Sequence, residues 1–324
     1  MRPVLLVTNV IFRFSRNRFS RIRGTSAIRH GVLALLVLPL LSCASIGIAT
    51  AADIPLNLTD DRGRSIHLER SARRIISLSP SITELVYAAG AGDRLIGVSS
   101  RSDYPTDASS VPEIGDAAGL DLERIAMLQP DLVIAWRSGN AADIDRLEKL
   151  GLPVFVTETT RLEDIPRLLR LTGQLAATST QAEAAARAYE TELQRLKRNY
   201  AGRQRVSVFL LIWQQPLMTV NGSHIISDMI SLCGGANIFA SAAILAPVIS
   251  AESLLHADPQ AIISGVLPES GVGKLWQQQF PQIRAVRNKH LFFVHPDLLH
   301  RQTPRMLQAV KAVCEQLERV RSEQ

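Results

Sequence analysis

The sequence predicts an α/β protein of two Rossmann-like lobes with parallel central sheets, joined by one long rigid α-helix and leaving a ligand cleft between the lobes. Strand-like apolar runs alternate with helical stretches from residue 73 to residue 175. A helical pattern then runs uninterrupted from Thr180 to Tyr200, after which the strand–helix alternation starts again and continues to the C-terminus. Alternation implies parallel pairing, because a right-handed crossover needs a helix to bring the chain back to the same end of the sheet. A length of 324 residues also suggests two domains. The expected divisions are an export signal over 1–52, a first lobe over 53–177, an interdomain helix over 178–202 and a second lobe over 203–324.

The first lobe begins with "DIPLNLTDDRGRSIHLE", which alternates about Asp61-Arg62-Gly63 and reads as a hairpin. "RRIISLSP" is a buried-type strand, and "SITELVYAAG" is a helix with Ser81 and Glu84 in capping-box spacing and Gly90 as its stop. Strands are predicted at 94–98, 131–135 and 153–156, with helices at 121–128, 140–150 and 163–175. The long helix has a capping box of its own in Thr180 and Glu183, apolar residues at 182, 185, 189, 193, 196 and 200, and a stop at Gly202. At about 1.5 Å per residue it would reach roughly 33 Å, the width of a small domain. In the second lobe, "RVSVFLLIW", "QAIISG" and "HLFFV" read as strands, with helices at 223–233, near 272–280 and at 303–320.

Charge is unevenly distributed. Residues 1–52 hold seven arginines and no acid, so removing them from the net charge of +6 leaves about −1 for the remainder. The body therefore has no polybasic composition, which argues against nucleic-acid binding. The basic start runs into "GVLALLVLPLLSCASIGIATAAD", the pattern of an export signal cut near Ala51 or Ala52. Two alternatives stay open: Leu40-Leu41-Ser42-Cys43 resembles a lipoprotein box that would lipidate Cys43, or the segment remains as an uncleaved anchor. Export to an oxidising compartment favours a disulfide between the two remaining cysteines, Cys233 and Cys314, over two buried free thiols.

A repeated pattern is the most specific feature of the body. In "LERIAMLQPDLVIAW" and "AESLLHADPQAIISG" a glutamate, Glu123 or Glu252, stands seven residues before a proline, and an apolar run begins two residues after it. Taken with "ISLSPSITEL", "GVSSRSDYP", "CGGANIF" and the closing "RQTPR", this pattern resembles the class III periplasmic binding proteins of ABC importers, which carry cobalamin, haem and ferric siderophores. The resemblance covers roughly 73–324 and is nearest to the cobalamin-carrying members.

In that family one glutamate on each lobe docks into arginine pockets of a permease dimer, and Glu123 and Glu252 occupy the matching positions. Exposed carboxylates at helix starts can accept bidentate arginine bonds. Acids in a first helical turn can equally serve the helix macrodipole, worth about 0.3–1 kcal/mol. Capping-box spacing accounts for Glu84. The resemblance further implies a periplasmic, monomeric carrier whose ligand is a transported chelate rather than a cofactor.

For the ligand site, the resemblance places Arg101, Tyr104, Trp213, Met218 and Asp297 at the cleft. The cobalamin carriers have aromatic residues where this chain has Arg101, Ala117, Met218 and Ala246, and a phenylalanine where it has Trp213; Asp297, which would hydrogen-bond the ligand's polar edge, is kept. Fewer aromatic faces leave a ferric siderophore or haem as the alternative to a corrinoid. Arg101 and Arg137 suit an anionic ligand. Tyr104, His295 and His300 are potential chelate contacts, although each has an ordinary loop or surface reading, and Trp136 at a strand end reads as core. No GxSxG, HExxH, P-loop or GxGxxG is present, which argues against an enzyme.

Overall fold

The computed structural model describes residues 55–116 and 118–323. The expected export signal over 1–52 with Cys43, the expected mature start and Ala117 lie outside the described residues. The first lobe opens with an antiparallel hairpin of β1 (Leu56–Thr59) and β2 (Ser65–Leu68), Leu56 opposite Leu68. The Asp60 carboxylate accepts the backbone N–H groups of Arg62 and Arg64 at 2.9 and 3.0 Å, so a side chain holds the turn.

The chain then follows β3 (Ile75–Ser77), α1 (Pro80–Ala88), β4 (Leu95–Val98), a short antiparallel pair of β5 (Gly115–Asp116) and β6 (Gly119–Leu120), α2 (Leu122–Met127), β7 (Leu132–Trp136), α3 (Arg137–Lys149), β8 (Val154–Thr157) and α4 (Asp164–Leu175). Strands pair in parallel in the order β4-β3-β7-β8. After α5 (Ser179–Tyr200) the second lobe repeats the plan with β9 (Val206–Leu211), α6 (Ile225–Leu232), β10 (Gly235–Asn237), α7 (Ala251–Ala257), β11 (Ala261–Ser264), α8 (Val272–Gln279), α9 (Arg284–Arg287), β12 (Leu291–Phe293), α10 (Pro296–His300) and α11 (Met306–Ser322). Its strands are again all parallel, in the order β10-β9-β11-β12. In both lobes the first strand lies inside, the second on its outer side, and the third and fourth on the other. That order places a crevice at the carboxyl ends of the first and third strands, where the winding reverses.

The long helix has 22 residues and buries Ala182, Ala186, Tyr189, Leu193 and Leu196. One apolar cluster includes Leu85 of α1, Leu168 of α4, Leu193 of α5, Val208 of β9 and Val310 of α11, so the core is continuous from lobe to lobe around this helix. Disulfide Cys233–Cys314 links the end of α6 to α11 across 81 residues of sequence, within the same cluster. Among the described residues no helix is long and apolar enough to cross a membrane.

Both capping boxes are corrected by the structure. The N-cap of α1 is Ser79, whose hydroxyl accepts from the Ile82 N–H at 3.3 Å with Pro80 opening the helix, so Ser81 lies inside it and Glu84 is free of capping. At α5 the N-cap is Thr178 with no side-chain cap bond, and Glu183 instead binds Arg170 and Arg187 at 2.6 Å each. Those two guanidinium groups hold the Glu183 carboxyl down at about 2. A neighbouring arginine within reach competes successfully with a cap bond.

Candidate functional site

The two lobes meet at the carboxyl ends of their sheets through an ion network centred on Glu84. Its carboxylate is buried, the side chain being 2% exposed, and accepts Arg301 Nη1 at 2.9 Å and Arg305 Nε at 2.9 Å from the opposite lobe. Arg301 also donates to Asp103 at 2.7 Å and to the Arg101 carbonyl at 3.2 Å, and pairs with Asp297 at 3.0 Å. The Arg301 bond holds the Asp103 carboxyl below the usual carboxylate range. Arg305 lies over the Tyr104 ring, 3.7 Å from its centroid. Further along the seam, Asp228 accepts the Leu162 N–H at 2.9 Å.

Beside this network a cavity of about 530 Å³ opens in the first lobe at its topological switch point. Leu78, Ser79 and Pro80 line it from the end of β3, Trp136, Gly139 and Asn140 from the end of β7, and Ser99, Ser100 and Arg101 from the end of β4. Asn140 fixes the two strand ends to each other, accepting the Trp136 N–H at 3.0 Å and donating to the Leu78 carbonyl at 3.4 Å. The half-buried Trp136 packs against the first-lobe core, as its sequence reading has it, and also lines the cavity, its indole N–H donating to Glu158 at 3.1 Å.

Arg101 has a left-handed backbone, φ 64°, where a β-carbon costs roughly 1–2 kcal/mol relative to the right-handed form. The loop is held in place from below by a hydroxyl chain: Ser77 to Thr83 at 2.8 Å, Thr83 to Ser102 at 3.0 Å and Ser102 to Ser99 at 3.3 Å. The guanidinium itself is exposed and makes no bond among the described residues, although Asp116 also lines the cavity.

The facing rim of the second lobe is apolar. Trp213 follows β9, and paired bridges set Trp213 opposite Met218 and Met218 opposite Val248, which lays the three side chains in one cross-strand row. Trp213 is 59% exposed, Val248 61% and Ile244 67%. Large apolar side chains left this open, side by side, mark a binding surface more often than chance exposure does.

The expected site residues do not all gather in one place. Arg101 lines the first-lobe cavity, and Trp213 and Met218 lie in the apolar row of the second lobe. Asp297 is on α10, where it is engaged by Arg301. Tyr104 borders a separate cavity of about 290 Å³ with Glu84, Tyr87 and Arg305. His295 caps α10, its Nδ1 accepting the Asp297 N–H at 3.2 Å, and His300 packs against Gly265, where any β-carbon would meet its ring at 2.2 Å. Arg137 is exposed at the first position of α3. Sequence reasoning missed Arg301 and Arg305 and misassigned Glu84; "RQTPR" carried the two arginines without revealing their buried partner.

Glu123 and Glu252 match down to the backbone. Each is the second residue of its helix, after N-caps Asp121 and Ser250 whose side chains accept the N–H groups of Arg124 and Ser253. Each helix ends before a left-handed residue, Gln129 at φ 45° or Asp258 at φ 36°, that precedes the proline. Both glutamates are exposed, and neither side chain makes a bond among the described residues. Capping is thus done by other residues, which leaves the two carboxylates free.

Residues 75–298 match the periplasmic binding protein family. The chain is 37% identical over 251 residues to the vitamin B12-binding protein of Vibrio parahaemolyticus serotype O3:K6, covering 76% of this chain and 90% of the relative. The vitamin B12-binding protein of Yersinia pestis (strain Pestoides F) is also 37% identical over 251 residues, covering 76% and 87%. Among solved structures, the periplasmic vitamin B12-binding protein BtuF of Vibrio cholerae superposes with a TM-score of 0.73 at 35% identity, over 77% of this chain and 98% of that one. The periplasmic haem-binding protein RhuT of Roseiflexus sp. RS-1 shares the fold, with a TM-score of 0.68 at 22% identity over 77% and 99%. By its two 2-1-3-4 parallel sheets, its bridging helix and its sequence, the chain belongs to the periplasmic binding protein family.

Proposed function

We propose that this protein captures a corrinoid of the cobalamin type in the cleft between its lobes and delivers it to an ABC importer. The observation that carries the reading is the coincidence of similarity to vitamin B12-binding relatives with an indole just at or beyond a strand end in each lobe, Trp136 in the wall of the first-lobe cavity and Trp213 exposed after β9. Indole faces suit a large, flat, partly apolar macrocycle. Arg101, Met218 and Asp297 complete the contacts, with Tyr104 behind the ion network. The long N-terminal signal delivers the protein to the periplasm, where the two lobes, spanning 53–177 and 203–324, act as a monomer about the 178–202 helix.

Glu123 and Glu252 serve the permease dimer. Equivalent anions on two similar lobes fit a partner with two similar subunits, and their freedom from capping supports this use. A second reading, a ferric siderophore or haem as ligand, is favoured by the unpaired guanidinium of Arg101, which suits catecholate or propionate oxygens.

Titration of intrinsic tryptophan fluorescence with cyanocobalamin, haemin and ferric siderophores tests the ligand class. Quenching by cyanocobalamin at micromolar concentration is the expected result. No response to it, with a clear response to an iron chelate, replaces the corrinoid by the second reading.

A further inference from the structure

Resting on the corrinoid reading above, we infer that Arg101 is a specificity-determining residue that selects corrinoids bearing a free carboxylate on the macrocycle rim. The first-lobe cavity is built to receive negative charge. Its walls include the N-terminus of α1 at Ser79 and Pro80, a nine-residue helix, and the kink of α3 at Gly139 and Asn140, where the Ser138 N–H is already taken by Glu158 at 3.0 Å. The start of α1 presents its positive dipole end to this space. The guanidinium of Arg101 adds a full charge that nothing among the described residues neutralises. By contrast the other arginines of the seam, Arg301 and Arg305, are both committed to Glu84.

The backbone at Arg101 supports the same assignment. A non-glycine residue at φ 64° persists where the surroundings hold it, and here the bond from Arg301 to its carbonyl and the hydroxyl chain beneath Ser102 do so. The loop therefore holds the Arg101 backbone at the cavity mouth and leaves a planar, five-donor guanidinium without a protein partner among the described residues, and a carboxylate is the partner that matches a planar fork bidentately. Asp116, the one acid lining this cavity, accepts the Ala118 N–H at 2.8 Å and makes no ion pair with Arg101. Ligands of this chemistry are macrocycles in which a peripheral amide is present as the acid, through incomplete amidation or through amide hydrolysis.

The test uses the separated monocarboxylate isomers obtained by mild acid hydrolysis of cyanocobalamin, with cyanocobalamin itself as the reference, on the wild-type protein and on Arg101→Asn. Asparagine tolerates the left-handed backbone and removes the charge, and the ratio of two affinities on one variant is independent of how much of it is folded. At least one isomer should bind the wild type fivefold or more tightly than cyanocobalamin. That preference should disappear in Arg101→Asn and shrink with added salt in the wild type. Absence of any preferred isomer, or a preference that survives in Arg101→Asn, overturns the assignment while leaving the corrinoid reading intact. Failure of every corrinoid to bind the wild type, cyanocobalamin included, overturns that reading and this inference together.

Discussion

The two lobes share a plan and differ at the rim they turn to the cleft. Their sheets have the same strand order, and their α2 and α7 segments repeat cap, glutamate, left-handed residue and proline at an offset of 129 positions, 252 minus 123. Toward the cleft, however, the first lobe offers hydroxyls, an amide, the start of α1 and Arg101 beside the Trp136 ring, whereas the second offers Trp213, Met218, Val248 and Ile244. Duplicated architecture has been kept where a twofold partner would read it and has diverged where an asymmetric ligand would. A ligand held between such rims has one polar edge and one apolar face.

The largest effect is expected where the lobes are alike. Changing both Glu123 and Glu252 to alanine removes a charge-assisted bond from each lobe, about 1.5–3 kcal/mol apiece, so association with the permease should weaken at least a hundredfold. Ligand affinity should stay nearly unchanged, because neither residue lines the cleft. Single variants should fall between, since the second contact forms at high effective concentration once the first is made. Permease association measured on purified variants checks this, and wild-type association by the double variant would sink the shared docking role.

Next in size is the joint between the lobes. Glu84→Ala leaves Arg301 and Arg305 facing a buried gap, and breaking a buried pair on one side typically costs about 3–5 kcal/mol. Because the apolar core also crosses the seam, the protein should unfold as one unit at lower denaturant rather than separate into lobes. Two resolved transitions in a urea melt of Glu84→Ala would show instead that the ion network alone couples them.

The disulfide distinguishes the lobes covalently, since both cysteines of the described residues lie in the second. Replacing Cys233 and Cys314 together by serine reopens a loop of 81 residues and should lower stability by about 2–4 kcal/mol, with no change in ligand affinity. Two free thiols in the unreduced, denatured protein would remove the basis of this expectation.

What was legible in the sequence follows the range of the interactions involved. The hairpin, the strand–helix alternation and the long helix rest on local periodicity and turn chemistry, and the structure has them within a few residues of their expected limits. The paired glutamates Glu123 and Glu252 were visible because the same short pattern occurs twice. Glu84 was misread because its spacing from Ser81 satisfies a local rule, while its actual partners are 217 and 221 residues away. Trp136 was legible as a core residue, but not as a cavity wall, because a strand end gives no sign of whether the space beyond is filled. Arg101 was legible as a charge near the cleft, but its left-handed backbone and anchored loop depend on hydroxyls from two other segments, Ser77 of β3 and Thr83 of α1.

The histidines lay wholly beyond such local rules, and they carry the smallest prediction. His224 caps α6 through Nδ1, which accepts the Ile226 N–H at 3.2 Å, a role open only to the neutral ring. Burial, reinforced by the nearby His300, pushes its pKa down from 6.5 to about 4. His300 is also lowered by burial, with Asp297 opposing the shift. In the unfolded chain both rings take up protons near pH 6.5, while the folded second lobe keeps them neutral. Between about pH 6.5 and 4 the unfolded state therefore binds more protons, and stability must fall as pH falls through that window. For His224 the loss should amount to about 1–3 kcal/mol. Below pH 4 the paired carboxylates, Asp103 among them, add their own loss as they protonate. Urea midpoints measured from pH 7 to pH 4 should decline in the wild type and decline less steeply in His224→Asn, whose amide oxygen can still accept the cap bond without titrating. Equal slopes in the two proteins would place the acid sensitivity outside this lobe's buried histidine.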